Sequence, residues 1–189
     1  MTNLPQNDAP DNARSPYRLT TFHEINVRRP EAFGAWCRLL WDDAGRVVIL
    51  SDYGHWSCWW GHRGEGCSVA RFLTQVHCSY AAGKMLPRGG KVTDIDGTIE
   101  RIKRLILENR HNRPSRWDAD RARKEWELAR RIDDDLGLDG WFSHTTIGDC
   151  SELAATKLAP EWADFWERVW VPLVLPELRQ IVAAETVAA

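Results

Sequence analysis

Apolar and polar residues alternate in short runs through the first third of the chain, whereas in the remainder the apolar residues recur at helical spacing. Tyr17 to Val27 carries Tyr, Leu, Thr, Phe, Ile and Val in partial alternation, and Trp36 to Trp41 continues that β-rich composition. Asp42-Asp43-Ala44-Gly45 supplies turn chemistry before Arg46-Val47-Val48-Ile49-Leu50, and Asp52-Tyr53-Gly54 supplies a second turn before His55 to Trp60. Short strands joined by tight turns predict an antiparallel three-strand meander, within a sheet drawn from residues between Tyr17 and Trp60.

Beyond Gly66 the period changes. Val69, Phe72, Leu73 and Val76 fall on one helical face, and a second short helix is expected over Tyr80 to Leu86 before Pro87-Arg88-Gly89-Gly90. Ile99, Ile102, Leu105 and Ile106 form the next stripe, with Asp96 as the expected N-cap and Pro114 beyond its end. Ser115-Arg116-Trp117-Asp118 has the Ser-x-x-Asp form related to a capping box, and Ala122, Trp126, Ala129 and Ile132 follow on one face until Gly137 and Gly140, which should stop that helix. Asp149-x-x-Glu152 suggests another short start. Pro160 suits a first helical position, and Trp162, Phe165, Trp166, Val169 and Trp170 make a stripe that should turn Trp166 and Trp170 to the core before Pro172 and Pro176 kink or split the helix. Strands first and helices afterwards predict an α+β fold, a small antiparallel meander in the N-terminal third packed against four to six helices.

At 189 residues and 21.7 kDa, with 43% hydrophobic and 28% charged residues, the chain is long enough to bury a core without disulfides or metal. Residues 1–16, with Pro5, Pro10 and Pro16 and few large apolar groups, read as a flexible tail, leaving 17–189 as a single α+β domain. No apolar run reaches the roughly 18 residues of a membrane span and the N-terminus lacks a signal-peptide core, so a cytoplasmic protein is expected. The odd number of cysteines, Cys37, Cys58, Cys67, Cys78 and Cys150, suits reduced thiols. The net charge of −2 exerts no global pull on nucleic acid or membrane, but it is divided: residues 100–131 hold eleven Lys/Arg against six Asp/Glu, and 132–189 hold three against eleven. Eleven tryptophans, five of them between Trp36 and Trp60, point to an aromatic-rich sheet face under the helices, or to an aromatic recognition patch.

The candidate chemistry thins on inspection. Asp94-Ile95-Asp96-Gly97-Thr98 has the Asp-x-Asp-Gly-Thr form of haloacid-dehalogenase-type phosphatases, but the preceding Lys91-Val92-Thr93 is too short and polar for the buried parallel strand such a site needs, and Asp133-Asp134-Asp135 falls inside a helical pattern. His55, Cys58, His62 and Cys67 are zinc-capable, yet on a strand His55 and Cys58 diverge, and His77-Cys78 are neighbours that do not face each other. Gly61, Gly64 and Gly66 lack the Lys-Ser/Thr ending of a phosphate loop, and no Ser or Cys is paired with a base. No catalytic residue, metal or cofactor is therefore expected. Arg101, Lys103, Arg104, Arg110, Arg113 and Arg116 could meet phosphates, although acidic residues interrupt them and no nucleic-acid motif frames them.

The run from Val48 to Gly61, in which an apolar strand leads into Asp52-Tyr53-Gly54, an aromatic-rich strand and a Trp, resembles a pattern in small uncharacterised proteins of tailed phages and prophages. The resemblance extends to Phe72-Leu73, to Tyr80 with Lys84, to Ile102-Lys103 with the Arg-rich segment after it, and to Phe165-Trp166-Glu167-Arg168-Val169-Trp170 before Pro172. It implies an accessory phage gene, and such proteins often bind and block a host complex, CRISPR effectors and other defence systems included. The expected function is thus an anti-CRISPR-like inhibitor whose partner is a host protein complex, with a nucleic-acid-binding, regulatory or assembly role as the alternative. Trp and Arg commonly anchor interfaces, which makes Asp52, Tyr53 and Trp56 at the turn, and Arg110, Arg113, Arg116 and Arg123 in the basic stretch, the candidate binding residues.

Overall fold

The computed structural model describes residues 20–29, 35–111, 117–148 and 150–188. The fold is α+β. Four strands, β1 (His23–Arg28), β2 (Trp36–Trp41), β3 (Arg46–Ser51) and β4 (Gly54–Trp59), form an antiparallel meander in that order. The expected three strands therefore gain a fourth: in the Tyr17–Val27 segment, of which 17–19 lie outside the described residues, the strand starts at His23 and sets Ile25 opposite Leu39 and Val27 opposite Cys37. The tail expected at 1–16 lies outside the described residues.

The β2–β3 turn depends on Gly45, whose φ of +93° suits glycine and whose N–H donates to the Asp42 carbonyl at 3.0 Å. Asp42, 1% exposed, accepts from the Arg46 backbone N–H at 2.9 Å and from its Nε at 2.5 Å. Burial opposes ionisation of this carboxyl, but the Arg46 hydrogen bonds and charge, with a further bond from Gly45, outweigh it and hold the pKa below the ordinary value. Its stabilising contribution is complete above the unfolded pKa of about 3.9 and is lost as the pH falls through the lowered folded value. Asp42→Asn should therefore flatten the acid limb of a pH–stability curve, read by urea unfolding between about pH 2 and 5.

Alternation along the strands separates two sheet faces. Ile25, Cys37, Leu39, Trp41, Val47 and Ile49 are buried under helices, whereas Trp36, Leu40, Val48 and Leu50 on the other face are only partly covered. The covering layer comprises α1 (Val69–Gln75), α2 (Cys78–Met85) and a long C-terminal helical segment made of α6 (Pro160–Phe165), a π-helical stretch at Trp166–Val174 and α7 (Leu175–Ala188). Pro172 and Pro176 do not split that segment. The wider turns of the π-helical stretch accommodate Pro172, which lacks an N–H and would clash with the carbonyl four residues earlier in a regular helix. Pro176 follows directly on that stretch as the second residue of α7.

Trp162 and Phe165 are fully buried, and Trp56 meets Trp162 edge-on with ring centroids 4.9 Å apart. Trp170 is buried as expected. Trp166 is only half-buried, stacked on Trp170 at 5.1 Å, because its position on the helix flank leaves one side of the indole toward solvent.

A second buried cluster, Ile102, Ile106, Trp117, Ala129, Ile132, Leu138 and Trp141, joins α3 (Ile95–His111), α4 (Ala119–Ala129) and α5 (Asp135–His144). Local chemistry departs from the sequence reading at several points here. Asp94, not Asp96, caps α3: its carboxylate accepts from the Gly97 N–H and pairs with Lys157 at 3.2 Å, while Asp96 lies exposed in the first turn. Asp118 caps α4 by accepting from the Arg121 N–H at 2.7 Å; Ser115 and Arg116 lie outside the described residues. Gly137 and Gly140 do not end α4, which stops at Ala129. They lie inside α5, which Asp134 starts by accepting from the Gly137 N–H at 2.7 Å, so Asp133 and Asp134 precede a helix and do not continue one. Lys91–Thr93 does form a strand, β5, but it pairs antiparallel with β6 (Thr156–Leu158). Asp149 lies outside the described residues; a short 3₁₀ turn follows at Ser151–Leu153. No helix among the described residues is long and apolar enough to cross a membrane.

Candidate functional site

The phosphatase-like motif is structural. Asp94 follows β5 but serves as a helix cap, its carboxyl held below the usual range first by the Gly97 N–H and then by Lys157. Thr98 donates to the Asp94 carbonyl and accepts from the Ala155 N–H, which ties α3 to the segment before β6. The sheet beside it has two antiparallel strands, so no carboxyl end of a parallel sheet collects these carboxylates.

On β4, Cys58 faces the helices and His55 the solvent, so the two diverge. Among the described residues no three His, Cys, Asp or Glu side chains converge on a position that could hold a metal. Burial pushes both the Cys37 and Cys58 thiols up to about 12, with the Asp52 charge adding to the effect at Cys37. Neither can supply a thiolate near neutral pH. Brief alkylation of the native protein at about pH 8 should leave Cys37 and Cys58 unmodified, and unfolding should expose both, as peptide mass mapping would report.

The candidate residues at the β3–β4 turn divide. Asp52 is exposed and takes a hydrogen bond from Ser51 at 3.1 Å. Tyr53 packs partly against the core. Trp56 points inward, wedged against Trp162 and Phe165 with both centroids at 4.9 Å. Its indole is committed to the fold, and the exposed aromatic of this strand is Trp59, 65% accessible and anchored by its Nε1 to the Ala44 carbonyl at 2.7 Å.

Trp59 belongs to a surface spanning all four strands. Register places Leu40 opposite Val48, Arg38 opposite Leu50, Leu50 opposite His55, and Arg46 opposite Trp59. Trp36, Leu40, Val48 and Leu50 pack into neither buried cluster. Arg38 pairs with Glu24 at 2.8 Å on the same face, and Arg46 lies over the exposed Phe22 ring at 5.7 Å. No helix among the described residues covers this outer face, which joins a central aliphatic strip to aromatic and arginine side chains.

The basic stretch forms a second surface. Arg110 and Arg123 line one groove of about 310 Å³ between α3 and α4, with Ile106, Leu107, Ala122 and Trp126 as its apolar floor and walls. Lys103 lies over the Trp126 ring at 5.6 Å. Arg113 and Arg116 lie outside the described residues. Sequence reading placed Trp126 on a core stripe, but it is half-buried and open to the groove, and Leu107 is 49% exposed.

This geometry is that of an α+β protein whose meander is covered by helices on one face and by no described helix on the other. A family model described as a phage family, Phage_phiTE_072, matches residues 18–180. The chain belongs to that family. No curated protein and no solved structure matches it.

Proposed function

We propose that this phage protein acts without catalysis, by binding a host protein complex and blocking it, with a defence complex of the anti-CRISPR target type as the foremost candidate. The observation that carries this reading is the outer face of the meander: the half-exposed Trp36, Leu40, Val48 and Leu50 and the exposed Trp59 form an apolar and aromatic surface across β2, β3 and β4 that no described helix covers. Contiguous apolar surface of this kind is costly to leave in water and marks interaction sites. Rigid aromatics on a sheet also lose little conformational entropy on binding. The exposed end of the β3–β4 turn, Asp52 and the edge of Tyr53, adjoins the same strands and can set orientation at the rim.

The alternative, binding of nucleic acid through α3 and α4, has the local excess of cations in its favour. Against it stand the exposed Glu108, Asp120 and Glu127 on the same helices. A phosphate-tracking surface would show a steep salt dependence on bare DNA, which protein docking through the sheet would not.

The test compares tagged wild type with Leu50→Glu in affinity capture from a host lysate. Both should have the same fold by circular dichroism, since Leu50 is outside the core. The reading predicts a defined complex captured in fixed stoichiometry by wild type and reduced at least tenfold by the variant, about 1.4 kcal/mol of binding free energy. Equal capture by the two would remove the outer face from the account.

A further inference from the structure

The α3–α4 groove has a chemical complement elsewhere on the same chain. Its floor is apolar, its rim carries Arg110 and Arg123, and Lys103 lies over Trp126 nearby. Among the described residues Arg123 has only a long contact to Asp120, 3.9 Å between groups that are 76% and 96% exposed, which leaves its charge weakly engaged. An occupant therefore needs an apolar side chain for the floor and carboxylates for the rim.

Helix α5 presents that combination. Leu136 is 79% exposed, with Asp139 one turn further along the same face of the helix and Asp133 just before the helix start, whereas the adjacent Asp135 turns to a separate cavity beside β5. Single exposed leucines are ordinary on protein surfaces. What distinguishes Leu136 is the Asp139 carboxylate on its own helix face, opposite in sign to the rim of a groove open to a side chain. Asp134 is the cap of α5 and takes no part.

We propose that the α3–α4 groove binds a second copy of this chain, Leu136 entering between Ile106, Leu107 and Trp126 while Asp139 meets Arg123 and Arg110. The contact is heterologous at the level of the patch, groove to knob. Two copies related by a two-fold axis would make it twice, and otherwise it would propagate as an open chain. It uses a different surface from the outer sheet face, so either proposal can fail alone.

A charge swap tests it on the full-length chain. Sedimentation velocity from about 10 µM to about 1 mM covers the range in which a small contact of this kind associates. Wild type should show a rising weight-average mass, reduced by added salt because the paired charges are exposed. Leu136→Ser, at an exposed position, should weaken association at least tenfold with the melting temperature unchanged. Arg123→Glu alone and Asp139→Arg alone should each stay monomeric, because each sets like charges across the contact. An equimolar mixture of the two should associate again, since every groove then meets a knob of opposite charge. Wild type that stays monomeric throughout, single variants that associate like wild type, or a mixture that fails to recover would each overturn the proposal. So would a monomeric wild type that instead retards duplex DNA and loses this with Arg123→Glu, which would assign the rim to phosphate.

Discussion

Trp162→Ala should lower the unfolding free energy by about 3–5 kcal/mol, the cost of truncating a fully buried aromatic, and shift the urea midpoint accordingly. Trp162 is completely buried, takes the edge of Trp56, and packs on Phe165 and Trp166 with centroids 5.6 and 5.9 Å away. Its Nε1 also donates to the Cys78 carbonyl at 3.2 Å, which joins the start of α2 to the C-terminal helical segment. Removing the indole opens a cavity where the sheet, α2 and α6 meet and leaves that carbonyl without its donor. Against a typical stability of about 5–15 kcal/mol the loss is a large fraction. Trp59→Ala on the outer face should cost less than about 1 kcal/mol, because little packing is lost at an exposed edge. Similar midpoints for the two variants would refute the assignment of the two sheet faces.

Glu125→Ala should cost about 2–4 kcal/mol for a different reason. Glu125 is fully buried in α4, and its carboxylate accepts three hydrogen bonds: from the Thr145 hydroxyl at 2.7 Å, the Thr146 N–H at 2.8 Å and the Thr146 hydroxyl at 2.7 Å. Arg121 clamps the same loop through the Thr146 carbonyl at 2.9 Å and lies over the Trp117 ring at 4.3 Å. The carboxylate thus fastens the segment after α5 to α4, and its removal empties a fully buried position and breaks all three of these hydrogen bonds. Glu125→Gln keeps an acceptor of the same shape and should lose clearly less. A Glu125→Ala variant as stable as wild type in urea unfolding would show that the α4–α5 junction is not held by this group.

The strands were legible because period-two alternation and turn residues are local signals. Gly45 and Gly54 punctuate the meander where a positive φ is required. The β5–β6 pairing was hidden, since two three-residue strands far apart in sequence carry no local pattern. In the sequence Gly137 and Gly140, poor helix formers, conceal α5. Burial of Leu138 and Trp141 and the Asp134 cap override that propensity. Asp96 and Asp94 stand only two residues apart before the same apolar stripe, and only the Gly97 contact distinguishes the cap.

For the candidate site, alternation shows that Trp56 and Trp59 point to opposite faces of β4, but both faces carry aromatics. Which one is buried depends on where the helices dock, information that no residue of β4 holds. Arg110 and Arg123 were visible as basic residues. Their meeting across a groove required the α3–α4 packing that places Ile106 and Trp126 between them.

The most direct measurement is phage plating on paired defence-positive and defence-negative host strains expressing wild type or Trp59→Glu. Wild type should raise plating on the defence-positive strain alone, and Trp59→Glu, equally abundant and equally stable, should not. Equal plating on both strains with wild type, or full activity of Trp59→Glu, would contradict the proposed function.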